Sequence, residues 1–383
     1  MGEQGGTALQ WQALRERVAG RAQSALGQAA VRGLEPSADR QWIETQQGRT
    51  AEMRTLLVSG QMFSFQGVMD VEDSLAKARI PGAALEAEEL LRVLTHAERV
   101  EAWRQTVLAP PDAVKEAWPE IEALSAPLMG HDLAGLLRNL QGKIEPDGSL
   151  SDDASPDLHR IRRALGRQHQ AIEASLRRAL ERLSADNAVQ DALITIRGDR
   201  FVIPVKAEAK RRVPGVVHGS SSTGQTVFVE PMETIESNNE LARLLQEEQA
   251  EIHRILLQMT RAVGAEAEAL RLGAEILAQA DAHAAVARFA EDLRCVRPEF
   301  VEGAEGEFRA SVEIGGPDEP TSQKRDVGHP GLDQVREVSG RELSKEPELE
   351  LLLARHPLLE MRLRDEPRSQ NRDLGHPSIV PLT

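Results

Sequence analysis

Leu193-Ile-Thr-Ile-Arg-Gly-Asp-Arg-Phe-Val-Ile-Pro-Val205 is the stretch on which the fold turns. It is rich in β-branched residues, and Arg197-Gly-Asp-Arg200 has the chemistry of a hairpin turn, since Gly and Asp tolerate the backbone a tight reversal needs. Thr226-Val-Phe-Val-Glu230 reads as another strand and Val213 to Val217 as a third. On both sides of this module the apolar period becomes helical. Upstream, Ser155-Pro156-Asp157 opens a helix with proline in its first turn, and Leu158, Ile161, Leu165, Ile172, Leu176, Leu180 and Leu183 follow at spacings of three, four or seven. Downstream, Met232 to Arg297 contains no proline, and Leu241, Leu245, Ile252, Ile255, Met259 and Val263 form a second stripe. The expected fold class is mainly α: a helical core and two long helices able to pack antiparallel, a small β-rich module inserted between them, and short β elements at the C-terminus.

Residues 8–130 read as short amphipathic helices. Leu14, Val18, Ala22, Leu26 and Ala30 recur every four residues, and Leu85, Leu90, Leu91 and Leu94 form another stripe. Breaks are expected at Gly33 to Pro36, Ile80-Pro81-Gly82 and Ala109-Pro110-Pro111, where proline cannot donate a helical hydrogen bond. Ile144 to Leu150 is dense in turn residues. Residues 301–348 are poor in large apolar side chains and are expected to be a flexible insertion. Leu349 to Leu359 is a compact apolar element, and Ile379-Val-Pro-Leu-Thr383 reads as a strand that leaves an apolar element without a partner.

Composition narrows the function. One cysteine, Cys295, cannot form an intramolecular disulfide and offers no multi-cysteine metal site, which fits a reducing cytoplasm. No apolar run is long enough to span a bilayer. Aromatics are 3% of the chain, which favours helix over sheet. The net charge of −15 argues against a uniformly basic coat, so any nucleic-acid contact must be local. Such a locality exists: residues 197–218 hold Arg197, Arg200, Lys206, Lys210, Arg211 and Arg212 against Asp199 and Glu208, a net +4. These six are the candidate nucleic-acid-binding residues, and the expectation is that positive charge is concentrated at one end of a rod. Catalytic, cofactor-binding and metal-ligating residues are not expected.

Arg200-Phe-Val-Ile-Pro-Val-Lys206, then His218-Gly-Ser-Ser-Ser-Thr-Gly-Gln-Thr-Val-Phe-Val-Glu-Pro231 and Asn238-Asn239, resemble the clamp region of the second bacterial branch of the MutS-like family. That branch lacks a mismatch-reading domain and usually ends in an Smr nuclease domain. Weaker resemblance extends to Glu44-Thr45, to Ser155 ahead of Ile161-Arg162, and to Ala354-Arg-His-Pro-Leu-Leu359, similar to the lead-in to the family's ATPase domain. The resemblance implies a helical core at 1–150, a first lever helix at 151–190, a clamp at 191–233, a second lever helix with return to the core at 234–300, the insertion at 301–348, and the lead-in at 349–383. It implies DNA as partner, branched forms included, or structured RNA and the ribosome, in recombination and repair control or ribosome quality control. It implies no membrane, a cytoplasmic location, and a homodimer in the family, with a monomer open here because the family's ATPase domains contribute heavily to dimerisation. ATP and Mg are implied for full-length members. This sequence carries neither a Walker A segment nor an Smr domain, so ATPase and endonuclease activity are not carried over to it. The usual acidic residue after the clamp histidine is Gly219 here.

Gly219-Ser-Ser-Ser-Thr-Gly224-Gln-Thr226 nearly satisfies a phosphate-loop pattern, but Gln225 stands where the lysine belongs and a strand is expected where a helix should open. Phe201 and Phe228 suit the module's own core or base stacking. His356, Asp281 with His283, His169 and Cys295 carry no assigned chemistry. A rival reading is a helical scaffold that binds protein through residues 158–183 and 241–263. A third is an inactive portion of an ATP-dependent MutS-like enzyme.

Overall fold

The computed structural model describes residues 10–115, 117–185, 188–189, 193–302 and 308–311. The expected C-terminal β elements at 349–383 and most of the insertion at 301–348 lie outside them. The described residues begin with α1 (Trp11–Ala19) and α2 (Ala25–Arg32). The four-residue stripe from Leu14 to Ala30 is therefore divided between two helices. Gly20 ends the first, and the Ser24 hydroxyl caps the second by accepting from the Gly27 N–H. Next come α3 (Arg40–Val58), α4 (Glu72–Ala78), α5 (Ala87–Leu108), α6 (Pro119–Ser125) and α7 (Ala134–Leu140). The helix ends before 33–36, 80–82 and 109–111 follow the glycine and proline positions. The body's core surrounds fully buried Trp103, whose ring lies 5.1 Å from Phe63 and 6.1 Å from Trp118 while Nε1 donates to Ser125 Oγ at 3.1 Å.

Helix α8 (Pro156–Ala185) starts where Ser155 Oγ accepts from Leu158 N at 3.0 Å. Its 30 residues rise about 45 Å. After the β module, α9 (Ile235–Ala265) returns alongside it. Ser155 Oγ donates to Glu251, Arg162 Nε to Glu248 and Gln168 Nε2 to the Ser237 carbonyl, so residue numbers rise on one helix as they fall on the other, the antiparallel arrangement expected. Ile161, Leu165, Ile172 and Leu176 are buried in one cluster with Leu241 and Leu244. Leu245, placed on the stripe by sequence, is exposed, and Leu244 takes its place. From Leu241 both leucines satisfy a helical spacing, and packing on α8 selects one. The other half of α9, including Ile255, Met259 and Val263, belongs to the core of the body.

The proline-free stretch divides into α9 and α10 (Ala267–Asp292), with Glu266 between them. No proline marks this point. Two residues earlier α4 approaches closely: a Cβ on Gly264 would stand 2.8 Å from the Ala78 carbonyl oxygen. Helix α10 closes the body against α2 and α3. Its buried Asp281 accepts from Gln23 N, Ser24 N and Ser24 Oγ at 2.7–3.0 Å, holding the orphan donors at the start of α2.

The β module is a four-stranded antiparallel sheet in the order β1-β2-β4-β3, with β1 (Thr195–Arg197), β2 (Arg200–Lys206), β3 (Gly215–Ser220) and β4 (Thr226–Pro231). Gly198 and Asp199 both take positive φ in the two-residue turn that the sequence indicated. The third strand starts two residues later than expected, because Val213 is buried at the end of a 3-10 segment, Ala207–Arg212. A second hairpin pairs β5 (Glu299–Glu302) with β6 (Phe308–Ser311). Among the described residues, no helix is long and apolar enough to cross a membrane.

Candidate nucleic-acid interface

Alternation along β2 sets the geometry. Phe201, Ile203 and Val205 point toward α8, where Ile172, Leu176 and Leu180 complete an apolar cluster. Arg200, Val202, Pro204 and Lys206 point to the opposite face, and the register adds Arg197 (opposite Arg200) and Phe228 (opposite Pro204) to it. Arg200 and Lys206 stand at the two ends of β2, about 20 Å apart. From Lys206 the chain enters the 3-10 segment. Ala209 and Val213 join the cluster on the α8 side, while Lys210, Arg211 and Arg212 remain exposed. The six candidates thus do not form one patch. They separate into three on the outer sheet face and three on a turn beside α8.

Their surroundings differ as well. Arg200 is engaged within the module: Nη1 donates to Glu230 Oε1 at 2.9 Å and Nη2 to Asn239 Oδ1 at 2.6 Å. Glu230 is 2% exposed and also receives Asn238 Nδ2 at 2.8 Å and His218 Nε2 at 2.6 Å. Asn238 mends a gap in the ladder. The β2–β4 register would place Phe201 opposite Pro231, which has no N–H; instead the Asn238 side chain accepts from Phe201 N and donates to Phe201 O, both at 3.1 Å. The resembling residues Arg200, His218, Glu230 and Asn238-Asn239 are therefore the joint between sheet and lever. Arg197 lies over the Phe228 ring, its guanidinium carbon 4.3 Å from the centroid, and Phe201 meets His169 edge to face at 5.6 Å. Both phenylalanines are covered by the protein's own side chains. Lys206 ends β2, its backbone N donating to the Ala188 carbonyl. Lys210, Arg211 and Arg212 make no ion pair among the described residues.

A second cationic surface went unread in the sequence. Helix α8 carries seven arginines against Asp157, Glu173 and Glu181, a net +4, so positive charge extends along the rod and is not confined to its end. Arg160, Arg162, Arg177 and Arg182 meet carboxylates. Arg163, Arg167 and Arg178 are exposed on one side of the helix and have no such partner among the described residues. Their spacings of four and eleven, close to one and three helical turns, were the available signal. Helix α9 has three arginines against five glutamates, so the two levers are electrostatically unequal.

Other polar groups do not assemble a reactive site. The Gly219–Thr226 loop is a hairpin connection into β4, with Ser221 N donating to Thr226 O, so no helix N-terminus faces it and it does not fit a nucleotide's phosphates. Asp281 and His283 make separate contacts. Thr50 Oγ1 donates to the Gln46 carbonyl and so accepts from His283 Nδ1 at 3.1 Å. Burial, with Arg49 nearby, pushes the His283 pKa down to about 3. No three His, Cys, Asp or Glu groups among the described residues are placed to hold a metal. His356 lies outside the described residues.

The chain is 33% identical over 354 residues to "Endonuclease MutS2" of Thermomicrobium roseum, which covers 92% of this chain and 40% of the relative. Matches to proteins of the same name in Gemmatimonas aurantiaca, 34% over 301 residues, and Agathobacter rectalis, 36% over 272, cover 78% and 70% of this chain. It is a MutS-like chain of that second branch. No family model matches. This MutS2-like chain spans about 40% or less of the length of the relatives it matches. The matched span includes the joint residues described above.

Proposed function

We propose that this chain is a DNA-gripping portion of a MutS2-like protein, contacting the phosphate backbone through Lys210, Arg211 and Arg212 and through Arg163, Arg167 and Arg178 of α8. The observation that carries the reading is the set of exposed arginines and lysines without carboxylate partners along one lever and its adjoining turn, in a chain whose net charge is −15. Such contacts give affinity and orientation without sequence information, so the binding selects shape, branched DNA included. Arg200 serves the joint, and Arg197 and Lys206 are secondary contacts on the opposite sheet face. ATP and Mg belong to the full-length relatives in this reading, as does any role in recombination, repair or ribosome quality control. The cytoplasm is its place of action. The scaffold alternative is disfavoured, because most of the α8 stripe is buried with Leu241 and Leu244 and the rest of the α9 stripe packs in the core of the body.

Fluorescence anisotropy with linear and four-way-branched DNA at two salt concentrations tests this. The triple variant Lys210→Glu, Arg211→Glu, Arg212→Glu is expected to weaken binding to both DNAs and to lower the slope of log K against log salt by about 2–3, at ~0.9 per lost phosphate contact. An unchanged slope removes the basis of the proposal. Parallel titration of ribosomal RNA distinguishes the nucleic-acid targets.

A further inference from the structure

A polar cavity of about 300 Å³ lies where the levers leave the body, walled by the end of α7 with the turn after it, the start of α8 and the later half of α9. Asn139 and Lys143 line it from the α7 side, Arg254 and Gln258 from α9, and among the described residues no Asp or Glu lines it. Arg254 is held in place before any ligand arrives: its Nε and Nη2 both donate to the Glu251 carboxylate at 2.7 Å, and Glu251 also accepts from Ser155 Oγ at 2.6 Å. The third nitrogen, Nη1, donates to Gln258 Oε1 at 3.3 Å. That bond occupies the amide oxygen of Gln258 and leaves its Nε2 donors unmatched among the described residues. Lys143 is half-buried, yet its Nζ has neither a hydrogen bond nor an ion pair among the described residues. Since Glu251 neutralises Arg254, Lys143 leaves the wall with a net positive charge.

We infer that this cavity binds a small phosphate ester of about the size of a pentose phosphate. Lys143 Nζ and Arg254 Nη1 donate to the phosphoryl oxygens, the amides of Asn139 and Gln258 add neutral donors, and Ile255 and Met259 face the organic part. Two features favour this chemistry. Ionised phosphoryl oxygens carry negative charge and accept from several donors at once, and the wall offers cations and unmatched N–H groups with no carboxylate to repel them. The volume is at the lower end of the range of small-molecule sites and is more than a lone phosphate ion needs, so an organic group has room beside the phosphoryl. Because its donors come from the body side and from α9, a bound ester ties the root of that lever to the body. The site uses none of the cations assigned to DNA above, so it does not depend on that reading.

Isothermal titration calorimetry of the full chain with ribose 5-phosphate, inorganic phosphate and ribose tests the inference. Ribose 5-phosphate is expected to bind with a dissociation constant of about 1 mM or below, more tightly than inorganic phosphate, while ribose gives no binding heat. Lys143→Met should weaken the ester by about tenfold or more, the loss of one charge-assisted hydrogen bond, with the urea midpoint unchanged because Nζ touches no other described group. Gln258→Leu should weaken it less. Hydrogen exchange should slow over 138–145 and 252–262 when the ester binds to the parent chain, and not in Lys143→Met. Absence of both heat and protection at about 10 mM ester would show a merely hydrated cavity and overturn the inference. Equal affinity in the parent chain and Lys143→Met would also overturn it, as would inorganic phosphate binding as tightly as the ester, which would mean an adventitious ion only. Binding lost in the Lys210, Arg211, Arg212 triple variant but kept in Lys143→Met would move the ester to the DNA-gripping surface. Displacement of the ester by linear duplex DNA would assign the phosphoryl group to a nucleic-acid backbone, and either result refutes a separate small-molecule site.

Discussion

Replacing Asn238 with Ala removes three hydrogen bonds at once: the two at 3.1 Å that complete the β2 ladder at Phe201 and the 2.8 Å bond to buried Glu230. Stranding a buried polar group costs about 1–3 kcal/mol, so the two Phe201 groups give ~2–6 kcal/mol, and loss of one of the two bonds to Glu230 Oε1, which keeps Arg200, adds about 1 kcal/mol, a gross range of ~3–7 kcal/mol. Phe201 is only half-buried, so water can reach its backbone, and the lower end, about 3–4 kcal/mol, is expected. Asn239 is the natural comparison. It is exposed and holds one bond, to Arg200 Nη2, so Asn239→Ala should cost only ~0.5–1.5 kcal/mol. Because the sheet packs in a cluster separate from the core of the body, the loss should appear as local opening. Hydrogen exchange read by mass spectrometry over 200–206 and 226–231 should accelerate by roughly 100–1,000-fold in Asn238→Ala and by about tenfold or less in Asn239→Ala, at 1.4 kcal/mol per tenfold. Peptides from α5 should exchange as in the parent chain. Equal acceleration by the two variants would refute the role given to Asn238 as the substitute for Pro231's missing donor.

Gly27→Ala is expected to cost about 2–4 kcal/mol in urea unfolding, since its Cβ would stand 2.3 Å from Asp281 Oδ2 and would dislodge the carboxylate from the start of α2; an unchanged midpoint would show that the cap is dispensable. His283 makes stability depend on pH. Its folded pKa of about 3 lies below the unfolded value of about 6.5, so the unfolded chain binds a proton first and stability falls as pH drops through that window, by at most ~1.4 kcal/mol per pH unit. His283→Gln should flatten the urea midpoint between pH 6 and pH 4 relative to the parent chain, and parallel curves would contradict the assignment. Converting Arg163, Arg167 and Arg178 to Glu should weaken DNA binding and its salt dependence while leaving the unfolding midpoint within about 0.5 kcal/mol, since none of the three has a carboxylate partner among the described residues. A large stability loss without a change in binding would return these arginines to a structural role.

Legibility followed the range of the interactions. Proline and glycine stops, the cap at Ser155, the helical stripe of α8 and the two-residue turn at Gly198-Asp199 are fixed within a few residues of themselves, and local sterics and hydrogen bonding are enough to place them. The candidate interface was legible only as a count of charges. Arg200 looked equivalent to Arg211 because nothing near it in sequence announces Glu230, thirty residues on, or Asn239, thirty-nine residues on.

By itself, then, the sequence determined the mainly helical class, the inserted sheet, the family likeness and the surplus of cations at 197–218, because each is a matter of local period, local turn chemistry or composition. Tertiary structure decided which of Leu244 and Leu245 faces α8, where the proline-free stretch breaks, how the six cations divide between two faces, and that the Arg200–Glu230–Asn238 cluster joins sheet to lever. These choices depend on groups far apart in the chain meeting in a buried place, where an unpaired charge or a missing ladder bond is costly enough to select one arrangement.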